Sequence, residues 1–307
     1  MPNLDIPSLI VVSGLSSMML AVATGILWRV HPDELSLRSW TIGSVLIMAG
    51  VFLMGLRNLA PDFLSIVTAI TIMVLGSAYL FDGNSLFAER PTNRFVFWVP
   101  VVAAFLLGIY TTYVAPSVAA RIAAFSAIQG FLSLAGGVLL LRVSMPVVRP
   151  DVLFTAAVFG FFGIASFLRV GFALTGSLAE QDIMKTGYVS SLYFIAFILT
   201  NIGLAAGFSL IVSNRLQIRL REGESIFRSL VDYMHDSMII IDWEGMILFA
   251  NPAARNLIDL KPDEDHVGRN IVEYLHPDSF QKAVEDQEAV KAGRMGFLSE
   301  YQLRPPS

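Results

Sequence analysis

Apolar and polar positions fall into two different patterns along this chain. Up to about residue 213, apolar residues come in long, nearly unbroken runs rather than at strand or amphipathic-helix spacing. A helix needs about 20 mostly apolar residues to cross a hydrocarbon core. Seven runs fit: 8–28, 40–56, 63–81, 96–113, 122–141, 152–174 and 188–213. Pro, Asp, Asn and Arg gather in the links between them. Links such as 57–62 and 115–121 leave no room for soluble domains. The pattern predicts a compact bundle of seven membrane helices.

Beyond residue 213 the spacing changes. Leu216, Leu220, Gly223, Phe227, Leu230 and Met234 follow one another at intervals of four and three residues. Such a seam suits a coiled-coil-like contact between two copies, or an amphipathic helix docked on its own domain. Gly223 interrupts it at a cost of about 1 kcal/mol relative to Ala, and offers a place for give. Two short strand-like runs follow, 238–242 and 246–250, joined by Trp243, Glu244 and Gly245. Asp242 at the first turn position and Gly245 at the last predict a type I turn with a bulge, hence a tight hairpin. Asn251 is a good N-cap, and Pro252 is tolerated at the first position of the helix that follows. A polar loop at 261–266, Gly268 and a short helical stretch to Tyr274 come next. Asp278 and Gln281 suggest a capping box for a helix over 280–292 that Gly293 ends. Residues 297–304 read as extended.

Composition sharpens the division. Of 307 residues, 55% are hydrophobic and 15% charged, with mean hydropathy +0.64. A soluble domain would carry about 25% charged residues. Residues 1–213 hold 10 Lys+Arg against 9 Asp+Glu, and 214–307 hold 11 against 16. That balance gives no basic surface for nucleic acid. The absence of Cys removes disulfides, thiolate metal sites, iron–sulfur clusters and covalently attached haem. No Lys or Arg precedes the first apolar run, so it reads as a retained span rather than a signal peptide.

Placing the N-terminus outside puts nine arginines on the inner side: Arg29, Arg38, Arg90, Arg94, Arg142, Arg149, Arg215, Arg219 and Arg221. Only Arg57, Arg121 and Lys185 are then left outside. The positive-inside bias predicts a multi-pass protein of the inner, cytoplasmic membrane, partnered by the lipid bilayer, with a cytoplasmic C-terminal region. Trp28, Trp40 and Trp98 fall at the inner interface, as an aromatic belt or as ordinary helix packing.

Candidate chemistry within the bilayer is sparse. Arg169 is the one charge clearly inside a run, towards the outer end of the sixth. An intramembrane charge is a candidate site by default. Three roles are open: snorkelling to the outer headgroups, a structural bond to a carbonyl or Asn201, or an outer pocket for an anionic ligand shared with Arg57 and Arg121. Gly203 and Gly207 form a small-xxx-small pair that permits close helix contact. Mid-depth Asp, Glu and His are missing from the runs, which counts against the alternative reading of a carrier or channel with a regulatory cytoplasmic domain. His31, His235, His266 and His276 have no metal-ligand spacing, and the acids at 263–265 read as a solvated loop. No metal and no catalytic residue is expected.

Phe227 and Leu230, "DSMIIID" with Asp242, Gly245, "ILFANPAA" with Asn251, and "VGRNI" with Gly268 stand in the order seen in PAS domains. Roughly the last 80 residues resemble that family. The membrane part, with "RNLAPDFLSI" and "APSVAARIAAFSAIQG", is similar to the N-terminal membrane module of bacterial diguanylate cyclases and sensor histidine kinases. The fold class expected is therefore a membrane all-α seven-helix bundle plus an α+β PAS-like domain. Residues 1–213 would form the sensor module, 214–234 a connector helix and 235–307 the PAS-like domain. A PAS sheet normally gains two more strands after the one near 297–304, so the expected sheet is incomplete, with an open edge.

The resemblance implies a membrane-bound input module that relays a stimulus to an output domain, a cyclase or a kinase, absent from these residues. The seam of the connector, separately, suggests a homodimer through that segment. No GGDEF signature, phospho-acceptor His helix or ATP-binding segment is read, so no enzyme activity is assigned to these residues. No cofactor is expected. A flavin–cysteinyl adduct needs the missing Cys, and His266 and His276 read as loop residues rather than haem ligands. The PAS pocket is expected to be lined by Ile and Phe, either empty or holding a small molecule, or to serve protein contacts only.

Overall fold

The computed structural model describes residues 6–143, 149–175, 188–257, 267–294, 296 and 298–304. Lys185, His266, the 263–265 acids and Phe297 lie outside the described residues. Two compact units emerge, Met1–Leu216 and Gln217–Ser307.

The first unit is an up-and-down bundle of α1 (Ile6–Val30), α2 (Leu35–Gly55), α3 (Ala69–Phe87), α4 (Arg94–Ile109), α5 (Val118–Leu141), α6 (Arg149–Leu174) and the start of α7 (Tyr188–Tyr233). A π-helical turn, Phe63–Thr68, leads into α3, and another, Tyr110–Val114, ends α4. All seven helices are long and apolar enough to span a membrane. They are apolar on outward faces too: Val11, Leu15 and Phe52 are mostly exposed, as a lipid-facing surface requires. Many of their hydroxyls are satisfied within the helix. Ser17, Thr24, Ser44 and Thr200 each donate to the carbonyl four residues earlier, at 2.7–2.9 Å.

Glycine sets the closest helix contacts. A Cβ added at Gly43 or at Gly76 would lie 2.7 Å from the other's carbonyl oxygen, so α2 and α3 meet backbone to backbone. Gly203 and Gly207 of α7 face Val158 and Thr155 of α6, the close approach that their spacing allowed.

Several expectations need correction. Helix α3 continues to Phe87, which brings Asp82 into the third helix. Helix α5 begins at Val118, so Arg121 sits in its first turn rather than in a link. Of the two roles open to Trp40 it is helix packing that holds: the ring is fully buried, stacked on Phe208 with centroids 4.0 Å apart. Helix α7 runs through Gly223 to Tyr233 without interruption. Leu220, Phe227 and Leu230 stay exposed, so this seam is not docked on the chain's own C-terminal unit.

The second unit has an antiparallel hairpin, β1 (Ile239–Ile241) and β2 (Ile247–Ala250), with a register shift at Ile240/Ile241. Helices α8 (Pro252–Leu257) and α9 (Phe280–Lys291) follow, with 3-10 turns at Ile271–Tyr274 and Pro277–Ser279 between them. Ile247, Ala250 and Ala254 form its core, packed by Ile239, Ile271 and Tyr274. The expected capping box is absent. Ser279 is the N-cap of α9 and makes no cap bond; its hydroxyl instead accepts from the Gln302 amide at 2.8 Å. The last extended stretch pairs at Leu303 with Leu275, not with the hairpin.

Candidate functional site

The turns that join α2 to the π-helical Phe63–Thr68 segment, and α4 to α5, lie at one end of the bundle, far from where α7 leaves it. At this far end Arg57, Arg121 and Arg169 line one cavity of about 60 Å³. Three different helices or helix ends supply them, so only the bundle's packing brings them together. Arg57 is half-buried just after α2, whereas Arg121 and Arg169 are 7% and 6% exposed. The guanidinium of Arg169 lies 4.1 Å over the Tyr193 ring, a cation–π contact from α6 to α7. Arg121 donates one Nη to Thr112 at 3.1 Å. Neither Nε has a hydrogen-bond partner.

No carboxylate pairs with any of the three arginines among the described residues. Asp62 acts on Arg121 only at longer range. The snorkelling reading fails for Arg169, which is buried. The Asn201 reading fails as well: Asn201 donates to Ser16 and Ser17 at 3.2 Å. Burying cations without a neutralising carboxylate is costly, because each loses its hydration, and Arg57 adds repulsion at Arg121. Both π-helical turns border this place: Ser65 and Ile66 of the first line the cavity, and Thr112 of the second binds Arg121. Such turns insert a residue into a helix and commonly mark functional positions. The lining thus joins three arginines with the hydroxyl-bearing Ser65 and Tyr193 in an otherwise apolar wall.

At the opposite, connector end the charged groups find carboxylate, amide or hydroxyl partners, although the Arg215 Nε, like those of Arg121 and Arg169, has none. Arg215 of α7 reaches Glu89 at 3.0 Å and Glu34 at 3.8 Å, with its guanidinium 5.0 Å from the Phe87 ring centre. Glu89 stands in the left-handed region, at φ +54°, just after α3. Asn214 donates to Asp151 of α6. Ser39 donates to Asp82 at 2.7 Å, and Thr92 binds its other oxygen. Trp40 donates to Asn84 at 2.9 Å, and Asn84 in turn donates to the Gly136 carbonyl at 3.3 Å. The last bundle turn of α7 is therefore tied to the α1–α2 turn, the end of α3 and the start of α6.

In the second unit the four motif residues each hold backbone. Asp242 accepts from the amides of Glu244 and Met246 at 2.9 and 2.8 Å. Gly245 closes that turn at φ +82°, a conformation other residues rarely adopt. Gly268, at φ +83°, donates its amide to Ile247 at 2.9 Å. Asn251 is fully buried and is the hub: it accepts from Met238 and Ala254 and donates to the carbonyls of Val231 and Asp236. Residues 225–301 match the PAS fold. In the PAS domain, then, Asn251 fastens the end of α7 to the hairpin. No curated protein and no solved structure matches the chain.

A cleft of about 890 Å³ lies in the PAS domain beside Trp243, Leu248, Ile271, Val284 and Tyr301. Among the described residues its lining has Ile as expected, with Trp and Tyr as its aromatic members. Tyr301 donates to Asp286 at 2.7 Å. Hydrogen bonds from Ser299 and Tyr301 hold the Asp286 carboxyl below the usual range, while burial and that bond push the Tyr301 hydroxyl up. Among the described residues no three His, Asp or Glu gather as metal ligands. His276 accepts from the Asp278 amide at 3.4 Å within its loop. Asn270 was missed by the sequence reading: it bonds Glu244 and Val272 and so fixes the turn. Its position two residues after Gly268 was the available signal. Tyr193 was missed as well, since nothing in a long apolar run distinguishes it.

Proposed function

We propose that this protein is a membrane-bound signal-transduction input module, in which occupancy of the arginine cavity is relayed through α7 to the PAS domain and on to an output domain or partner. One observation carries the reading. A single unbroken helix supplies Tyr193 to the arginine cavity and Val231 to the Asn251 hub of the PAS domain. A shift or rotation imposed at its first turns has a covalent, hydrogen-bonded route to the PAS core. The paired groups around Arg215 hold the same helix where it leaves the bundle, and supply a resting position against which such a shift works. The N-terminus is assigned outside and the PAS domain to the cytoplasm, on the distribution of arginine. The exposed seam at Leu220, Phe227 and Leu230 supports a homodimer. The PAS fold is non-catalytic, so catalysis would belong to an output domain or partner.

The lack of native Cys makes a single introduced one a unique label. Full-length Ser229→Cys protein, spin-labelled in nanodiscs, is compared with the same protein carrying Arg169→Met. The expected result is a change in label mobility or inter-label distance, with altered amide exchange across 225–301. Identical spectra and identical exchange would sink the relay. Labelling of Leu59→Cys from one side of a sealed membrane, and of Gln287→Cys from the other, checks the orientation.

A further inference from the structure

The size and lining of the arginine cavity restrict its ligand more than charge alone does. A cavity of about 60 Å³, at roughly 10–15 Å³ for each water-sized group, holds about four to six non-hydrogen atoms. That is too little for a lipid, a long acyl chain or an aromatic cofactor. Arg121 and Arg169 are more than nine-tenths buried, line this space and each keep an unpartnered Nε. The complement is a negative charge that accepts hydrogen bonds. The rest of the wall is mostly apolar, with Val51, Ile70, Met73, Ile122 and Phe197 among its residues, and its other polar groups belong to Arg57, Ser65 and Tyr193. A fully polar oxyanion such as phosphate would still set some of its oxygens against the apolar side chains, where an alkyl group fits better.

Taking this cavity as the input site, on which the present reading rests, we infer that it binds a short-chain monocarboxylate. The carboxylate lies on Arg121 and Arg169, and the alkyl end lies against Ile70, Met73 and Phe197. Acetate has four non-hydrogen atoms and butyrate six, so the C2 to C4 acids span the available space. Each methylene buried in this wall improves affinity about fourfold until the space is full.

The test is equilibrium binding of radiolabelled butyrate to the full chain in nanodiscs, with thermal unfolding followed by tryptophan fluorescence. Saturable binding is expected, strengthening about fourfold per carbon from acetate to butyrate and weakening for octanoate. Nitrate and phosphate compete poorly. Arg169→Met and Arg121→Met each lower affinity at least about tenfold, the loss expected for one charge-assisted contact. Should either variant fail to fold, Ile122→Ala enlarges the apolar end and moves the optimum to longer acids. The inference is overturned by absence of saturable binding up to about 50 mM, which is weaker than any useful affinity. It is equally overturned by phosphate or nitrate binding more tightly than butyrate, by octanoate binding best, or by unchanged affinity in folded Arg169→Met protein. Butyrate binding that leaves the Ser229→Cys label unmoved would overturn the relay but keep this site. A label moved by Arg169→Met with no carboxylate bound would do the reverse.

Discussion

The two ends of the bundle treat arginine in opposite ways. At the connector end Arg215 faces Glu34 and Glu89, and its neighbours Asn214, Asp82 and Asn84 all have partners. At the far end Arg121 and Arg169 are buried at least as deeply, without a carboxylate, around a cavity. A paired cation fixes a helix in place, whereas an unpaired one stores an unmet attraction that a ligand can satisfy. The same side chain is thus a fastening in one place and, on the function proposed above, a receptor in the other, and the difference lies in what the neighbouring helices supply.

The strongest way to break this contrast is to give the connector end the far end's condition. Trp40→Ala opens a cavity beside Phe208 and leaves the Asn84 oxygen without its donor. It should cost about 3–5 kcal/mol in SDS-driven unfolding in mixed micelles. A loss under 1 kcal/mol would mean that this end is not tightly packed. Next in size and opposite in sign, Arg169→Met removes a buried unpaired charge. Without added anion it should raise stability by about 1–4 kcal/mol, and a destabilised variant would show that the Tyr193 contact outweighs the cost of burying the charge. The mirror change at the other end, Arg215→Met, removes the ion pairs to Glu34 and Glu89 and should lower stability by about 1 kcal/mol, since Glu89 remains largely exposed. A double-mutant cycle with Glu34→Gln measures the coupling, and zero coupling would contradict the fastening.

The smallest effect belongs to the PAS domain. The carboxyl of Asp286 is held low by Ser299 and Tyr301, with Lys282 and Arg294 adding to it. Its folded value lies below its unfolded one, so its contribution is present above the unfolded value, near pH 4, and is lost as pH falls through the folded one. Asp286→Asn should therefore lower the PAS unfolding temperature slightly at pH 7 and make no difference near pH 2. An equal effect at both pH values would show that the hydrogen bonds, not the charge, are responsible.

Much of the architecture was legible because it depends on local and compositional physics. Seven long apolar runs can only be buried in lipid or in one another, and a helix is the conformation that satisfies its own backbone there. The turn at Asp242–Gly245 and the cap at Asn251 follow from side-chain geometry within a few residues. The capping box at Asp278 was misread because Ser279 is drawn instead to Gln302, a partner 23 residues away. Trp40 was placed at an interface by its depth, but its stacking on Phe208 depends on a helix more than 160 residues later.

The arginines show the boundary most clearly. The sequence by itself determined that Arg57, Arg121 and Arg169 lie near the same end of an up-and-down bundle, since alternation of spans fixes which turns share a side. Tertiary structure alone decided that they share one cavity, that Tyr193 covers Arg169, and that Arg215 finds two acids while Arg121 and Arg169 find none. The reason is that hydropathy sets a helix's depth in the membrane but not its rotation about its own axis. Rotation is chosen by contacts such as Gly43 against Gly76, which only the packed bundle contains.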